Sequence, residues 1–171
     1  LMVLMCVRSL MFNPTTRRLQ SLRMPVICAV NGVAAGAGAS VAMACDIAIA
    51  APTASFVQAF SKIGLIPDAG GSWLLVERLG LPRALALAMT GDKLMADKAK
   101  EWGLIWDVAD DCVAAALALA DKLALMPTKA SRRIGELWAC VRTHARPCPG
   151  GVEPPRSHRV RADPMSTSPS V

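Results

Sequence analysis

The stretch from Asn31 to Gly71 constrains this 171-residue chain more than any other. It reads NGVAAGAGASVAMACDIAIAAPTASFVQAFSKIGLIPDAGG, with glycines and alanines set among apolar side chains and Asp68 near its end. Gly32, Gly36 and Gly38 allow a tight turn and close approach of the backbone to a ligand. Ala39 to Cys45 then continues without a breaker, as the first turns of a buried helix would. A glycine-rich turn feeding a helix start aims several backbone N–H groups at one spot, where the helix dipole favours negative charge. Such a spot suits a phosphate, or an oxyanion that forms during a reaction.

Spacing rules out a phosphate loop, because no Lys-Ser/Thr pair follows Gly38. A dinucleotide turn needs a third glycine where this chain has Val41. What remains, GxxxGxG, fits close helix packing as well as it fits a ligand turn.

Around this stretch, strands alternate with helices, which defines an α/β class. Asn13 followed by Pro14 starts a helix that continues through TTRRLQSLR and ends at Pro25. VICAVN and IAIAA read as buried strands on either side of the glycine turn and its helix, which runs to Asp46. FVQAF is a short strand or one helical turn, and Gly64, Pro67 and Gly70-Gly71 punctuate a loop. Helices follow in SWLLVERLG, PRALALAMTG and ADKAKEWG, the first two closed by Gly80 and Gly91. LIWDV reads as a strand. Asp110 or Asp111 can cap the long helix CVAAALALADKLALM, which Pro127 ends.

At 53% hydrophobic and 19% charged residues the chain can bury a core of ordinary domain size. Charges, Gly or Pro interrupt every apolar run, so no membrane span is expected. The apolar opening LMVLMCVRSLMF lacks a basic start and a small-residue cleavage site, which argues against a signal peptide. The first residue is Leu rather than Met, from which a fragment of a longer protein is expected. Six cysteines form no CxxC pair, and Cys28 and Cys45 lie in apolar runs, so buried free thiols in a reducing cytoplasm are expected.

Several pieces, PVICAVNGVAAGAGAS, ACDIAIAA, ASFVQAF, IGLIPDAGGSWLL and MTGDKLMADKAKEWGLI, together resemble the crotonase (enoyl-CoA hydratase/isomerase) family. The resemblance runs without a gap from about Asn13 to about Lys129. Within the family, FSKIGLIPDAGGSWLL is most similar to the ring-epoxide isomerases of phenylacetyl-CoA breakdown. It implies a ββα spiral fold, here truncated at its N-terminal side, with a partial crotonase domain over residues 1–130. It also implies an acyl-CoA thioester substrate, no cofactor beyond that coenzyme A, and a reaction through an enolate-like oxyanion. Ala37, the middle residue of GAG, would offer one N–H to that oxyanion, and a second donor would come from an upstream segment that this chain is expected to lack. Ala35, Gly36, Ala59, Phe60 and Ile63 would line the substrate.

Asp68 has two readings. From its local sequence it can cap the helix that begins AGGSW; by resemblance it is the acid/base, since isomerases of the family carry a catalytic carboxylate just before this turn. An apolar pocket raises a carboxylate's pKa, which suits proton transfer near neutral pH. The positions that match the two water-activating glutamates of hydratases hold Ser40 and Phe60, and neither is a general base. Ser40 reads as a small helix residue, Phe60 as a pocket wall or core ring, and Asp46 as a turn-former. Trp73, Trp102 and Trp106 read as core or oligomer contacts.

The expected activity is therefore isomerisation of an unsaturated or ring-epoxide acyl-CoA, with hydration as the enzymatic alternative. A third possibility is an inactive relative that only assembles with full-length subunits. The family implies a homotrimer or hexamer in the cytoplasm, with no nucleic-acid or membrane partner. After about Ser131 the sequence changes character: residues 131–171 carry 7 basic and 3 acidic side chains, against 12 and 10 before them. Half of the 12 prolines fall there too, and a disordered or aberrant tail is expected. An RNA-binding tail is the alternative, although aromatics between the arginines are absent.

Overall fold

The computed structural model describes residues 13–22, 24–126 and 134. The expected change of character near Ser131, and Pro127 as a helix stop, lie outside the described residues. The chain builds α1 (Asn13–Gln20), β1 (Ile27–Val30), β2 (Val33–Ala35), α2 (Ala37–Ala44), β3 (Ile47–Ala50) and β4 (Ser55–Val57). After a 3₁₀ turn (Ser61–Ile63) come α3 (Gly71–Leu79), α4 (Leu81–Thr90), β5 (Lys93–Met95), α5 (Ala96–Glu101), β6 (Asp107–Val108) and α6 (Cys112–Ala124).

The strands form two small sheets. In the first, β3 is central, with β1 and β6 parallel to it; Ile27 stands opposite Ile47 and Ile49 opposite Asp107. In the second, β4 is central, parallel to β2 and antiparallel to β5, with Phe56 between Ala34 and Leu94. Helix α2 is small and apolar nearly all round, as a helix enclosed on every side must be. Its Ala39, Ala42, Met43 and Ala44 share one core with Leu74, Leu75 and Leu79 of α3. Small side chains on α2 let these elements approach closely, so packing here is tight. Leu74 is 1% exposed, and its truncation to Ala would cost about 2–5 kcal/mol.

Helix ends follow the expected chemistry. Gly80 and Gly91 close α3 and α4 at φ 76° and 64°, and Pro82 sits in the first turn of α4. The Asp110/Asp111 alternative resolves to Asp111, whose side chain accepts from Val113 and Ala114 N–H at 3.1 and 2.9 Å. Asp46 is a turn residue: its Oδ2 accepts from Val26 N–H at 2.9 Å and ties the start of β3 to β1.

Other elements depart from expectation. Helix α1 stops at Gln20 rather than at Pro25. VAA, within the glycine turn, forms strand β2 because β4 supplies its partner. Of LIWDV only Asp107–Val108 is strand; Leu104 and Ile105 are instead buried anchors behind Gly103. Trp73 and Trp106 are 47% and 70% exposed, so they are not core residues of this chain. Trp102 packs on the core, with the Arg83 guanidinium 5.0 Å from its ring centre. Among the described residues no helix is long and apolar enough to cross a membrane.

Candidate active site

Two turns meet at α2. The first joins β2 to α2 through Gly36, which adopts φ 54° and precedes the helix without any side-chain cap. Gly36 N–H bonds the Val57 carbonyl at 2.8 Å, which fixes the turn to β4. The first N–H groups of an α-helix have no acceptor within the helix, so those of Ala37, Gly38 and Ala39 emerge here as a ready donor set. Of the three glycines read as turn-formers, only Gly36 uses the left-handed region. A Cβ at Gly36 would stand 3.4 Å from the Phe60 ring, which is itself 7% exposed. Gly36 and Phe60 therefore form one wall.

The second turn is Pro67-Asp68-Ala69-Gly70, leading into α3. Its Gly71 N–H bonds the Asp68 carbonyl at 2.7 Å. The N-cap of α3 is Gly70, at φ 75°, so Asp68 does not occupy the capping position. Ala69 is fully buried and adopts φ 51°, a left-handed conformation uncommon for a residue with a side chain. Asp68 is half-buried, and its Oδ1 is shut off from solvent.

Ser40 joins the two turns. It is fully buried one turn into α2, with its N–H and hydroxyl donating to the Gly36 carbonyl at 3.1 and 3.3 Å. On its other side it meets Gly71: a Cβ there would run into the Ser40 hydroxyl and reach Pro67 at 3.6 Å. The carboxylate turn is thus seated on the first turn of the helix that Ala37 opens.

The remaining candidates lie as follows. Ala35 ends β2 and is exposed, in register with Val57. Ala59 is half-buried beside Phe60. Ile63 ends the 3₁₀ turn and is 68% exposed, with its N–H bonded to the Phe60 carbonyl at 3.1 Å. Sequence reasoning missed the bridging place of Ser40, the left-handed Ala69 and the buried Gln58, whose Oε1 has no hydrogen-bond partner among the described residues. The first two could be inferred only once the turns were known to touch.

Two small sheets flanked by helices make up a crotonase-like α/β architecture. An enoyl-CoA hydratase from Polaromonas sp. JS666 superposes with a TM-score of 0.76 at 33% identity, covering 84% of this chain and 61% of that one. The family model described as enoyl-CoA hydratase/isomerase matches residues 7–142, and the chain belongs to that family. It is 58% identical over 119 residues to 1,2-epoxyphenylacetyl-CoA isomerase of Escherichia coli, covering 68% of this chain and 45% of the relative. A trans-2-decenoyl-(acyl-carrier-protein) isomerase of Streptococcus mutans is 44% identical over 98 residues, covering 57% of this chain and 37% of the relative. The chain therefore spans less than half the length of these two relatives.

Proposed function

We propose that this chain carries the oxyanion and acid/base half of an acyl-CoA isomerase acting on an unsaturated or ring-epoxide thioester. The thioester carbonyl sits over the start of α2, where Ala37 N–H stabilises the negative charge that develops on its oxygen. Donors already fixed in place need no reorganisation as the charge forms. Asp68 removes a proton beside the carbonyl and returns it to another carbon or to an epoxide oxygen. Gly36, Phe60 and Ala59 wall the acyl group, with Ala35 and Ile63 at its edges. No cofactor takes part beyond the coenzyme A that carries the acyl group.

The observation that carries this reading is the seating of the Asp68 turn on α2 through Gly71 and Ser40. Asp68 is the carboxylate that this turn carries, and Ser40 and Phe60 supply no second general base. Likeness to two named isomerases supports it. The same reading gives a homotrimer or hexamer in the cytoplasm; exposed Leu81, Leu85 and Met89, spaced by four along α4, offer apolar surface for such contacts.

Isomerase and hydratase separate in one experiment on the chain extended upstream to the length of its relatives. It should isomerise suitable acyl-CoA esters and hydrate crotonyl-CoA only weakly, followed as loss of the conjugated thioester absorbance. Rapid hydration would favour the hydratase. Normal folding and assembly with neither activity would favour the inactive relative.

A further inference from the structure

We propose that the outer edge of β2 is the docking strand for the pantetheine arm of the coenzyme A thioester, which lies along it as an added strand and delivers its carbonyl to the glycine turn. The inference rests on the acyl-CoA reading above and adds the backbone groups that hold the carrier.

Only one side of β2 is paired. The sheet order is β2-β4-β5, and among the described residues no strand lies on the other side of β2. Ser55 N–H donates to the Gly32 carbonyl at 3.3 Å, and Gly36 N–H donates to the Val57 carbonyl at 2.8 Å. Val33 stands opposite Ser55 and Ala35 opposite Val57. In a parallel ladder the groups that face the partner strand belong to alternate residues. Those that face β4 belong to Gly32, Ala34 and Gly36, so the N–H and C=O groups of Val33 and Ala35 point away from the sheet. Both residues are exposed, Val33 at 65%.

This edge is unguarded. Exposed edges are normally blunted by a charge, a proline or a bulge. The opposite edge of the same sheet, β5, carries an exposed Lys93, whereas β2 reads Val-Ala-Ala. Strand β2 also runs directly into Gly36 and the N–H groups that open α2. An occupant paired with β2 in the parallel sense therefore has its leading end at Ala37. That occupant is short, because two residues present only two donor–acceptor sets, too few to hold a second copy of the chain. The pantetheine arm matches: it is an extended chain with two secondary amides, and its thioester follows the second. The inner amide N–H donates to the Ala35 carbonyl, and the outer amide lies beside Val33. From the inner amide nitrogen to the thioester carbonyl carbon the arm has about 6 Å of chain. From Ala35 to Ala37 the protein advances about 6.6 Å at strand spacing. Main-chain bonds supply the affinity in strand addition, so one edge serves thioesters of different acyl groups.

The test uses the isotope-labelled 171-residue chain and S-hexanoyl-pantetheine, which has the arm and the thioester but no nucleotide. Titration followed by nuclear magnetic resonance should move the Val33 and Ala35 amide signals and the Ala35 carbonyl carbon. An analogue with oxygen in place of the inner amide N–H should bind about two- to tenfold more weakly, the loss expected of one net hydrogen bond. Ala35→Pro sets a ring methylene where the outward N–H was and removes no bond to β4; it should keep the Ser55 and Gly36 signals in place and abolish the Val33 shift. Should that variant fail to fold, the amide and ester probes on the unaltered chain still decide. Ala37 N–H reports the oxyanion reading separately. Shifts at Val33 and Ala35 with Ala37 unmoved would uphold the docking edge and remove the oxyanion role. A shift at Ala37 alone would do the reverse. Equal binding of the two probes, or unmoved Val33 and Ala35, would overturn the proposal. So would Val33 and Ala35 signals that move with protein concentration before any probe is added, the mark of a second copy on this edge.

Discussion

The glycine turn before α2 and the carboxylate turn before α3 each hold a residue in the left-handed region, but of different kinds. Gly36 adopts φ 54° and Ala69 φ 51°. For glycine that conformation is nearly free; for an L-residue it costs roughly 1–2 kcal/mol. The difference matches what each turn presents. The glycine turn offers backbone N–H groups and needs only an unhindered chain. The carboxylate turn carries the Asp68 side chain, and the Ala69 next to it is fully buried. Strain of this kind persists where surrounding packing over-determines it, and it gathers at functional sites.

The largest effect should come from the side chain that the second turn presents. In the upstream-extended chain, Asp68→Asn should keep the circular-dichroism spectrum and lower isomerase turnover by about 10²–10⁴, the contribution of a positioned acid/base. Ala37, acting through its N–H, has no comparable side-chain variant, which is the asymmetry between the turns expressed in kinetics. Turnover within a few-fold of the parent would remove Asp68 from its role and leave the glycine turn as the only chemical element.

Next comes the seam between the turns. Gly71→Ala drives a methyl into the Ser40 hydroxyl. Overpacking a tight core costs typically about 1–3 kcal/mol. In the Ser40→Ala background the new Cβ would meet the residue-40 Cβ at 3.5 Å and the Pro67 Cβ at 3.6 Å, both ordinary contacts. The double variant should therefore be more stable than the sum of the singles, with a coupling of about 0.5–3 kcal/mol in urea melts. Additive losses would mean that the turns do not lean on each other through this pair.

Legibility in the sequence divides along the same line. Gly36 announced its turn because a missing side chain is itself a signal. The α/β alternation and the helix stops at Gly80 and Gly91 were equally readable. Asp68 was ambiguous, because a carboxylate ahead of a helix is both a common cap and a candidate acid; Gly70 at the N-cap removes the first of these readings. Ala69 gave no warning, since alanine is ordinary in sequence and becomes unusual only through φ. Strands β2 and β5 were missed because three residues carry no periodicity, and both depend on pairing with β4. Trp73 and Trp106 were read as core or oligomer contacts; their exposure removes the first of these and leaves the second, because periodic apolar position does not fix how much surface a neighbour covers. The Ser40–Gly71 contact spans distant sequence positions and has no local trace.

A smaller loss is expected from restoring a side chain to the first turn. Gly36→Ala would acquire the left-handed penalty and bring its methyl within 3.4 Å of the Phe60 ring. Thermal or urea unfolding should show a loss of about 1–2 kcal/mol. A neutral result would mean that this turn relaxes readily, contrary to its bond from Gly36 N–H to the Val57 carbonyl.

The reverse substitution, Ala69→Gly, sharpens the comparison because its terms oppose one another. Removing the side chain relieves a left-handed strain of roughly 1–2 kcal/mol. Glycine is freer in the unfolded chain, which costs about 0.4–1 kcal/mol. Deleting a fully buried methyl forfeits about 0.8 kcal/mol of burial. The sum lies between about −0.8 and +0.8 kcal/mol, so the unfolding free energy from urea melts should change by less than about 1 kcal/mol in either direction, at unchanged m-value. A gain well above that would show Ala69 to be retained against stability, as expected of a residue that holds Asp68 in place. A loss above about 2 kcal/mol would show that the methyl is there for packing, and the carboxylate turn would then differ from the glycine turn in core filling rather than in stored strain.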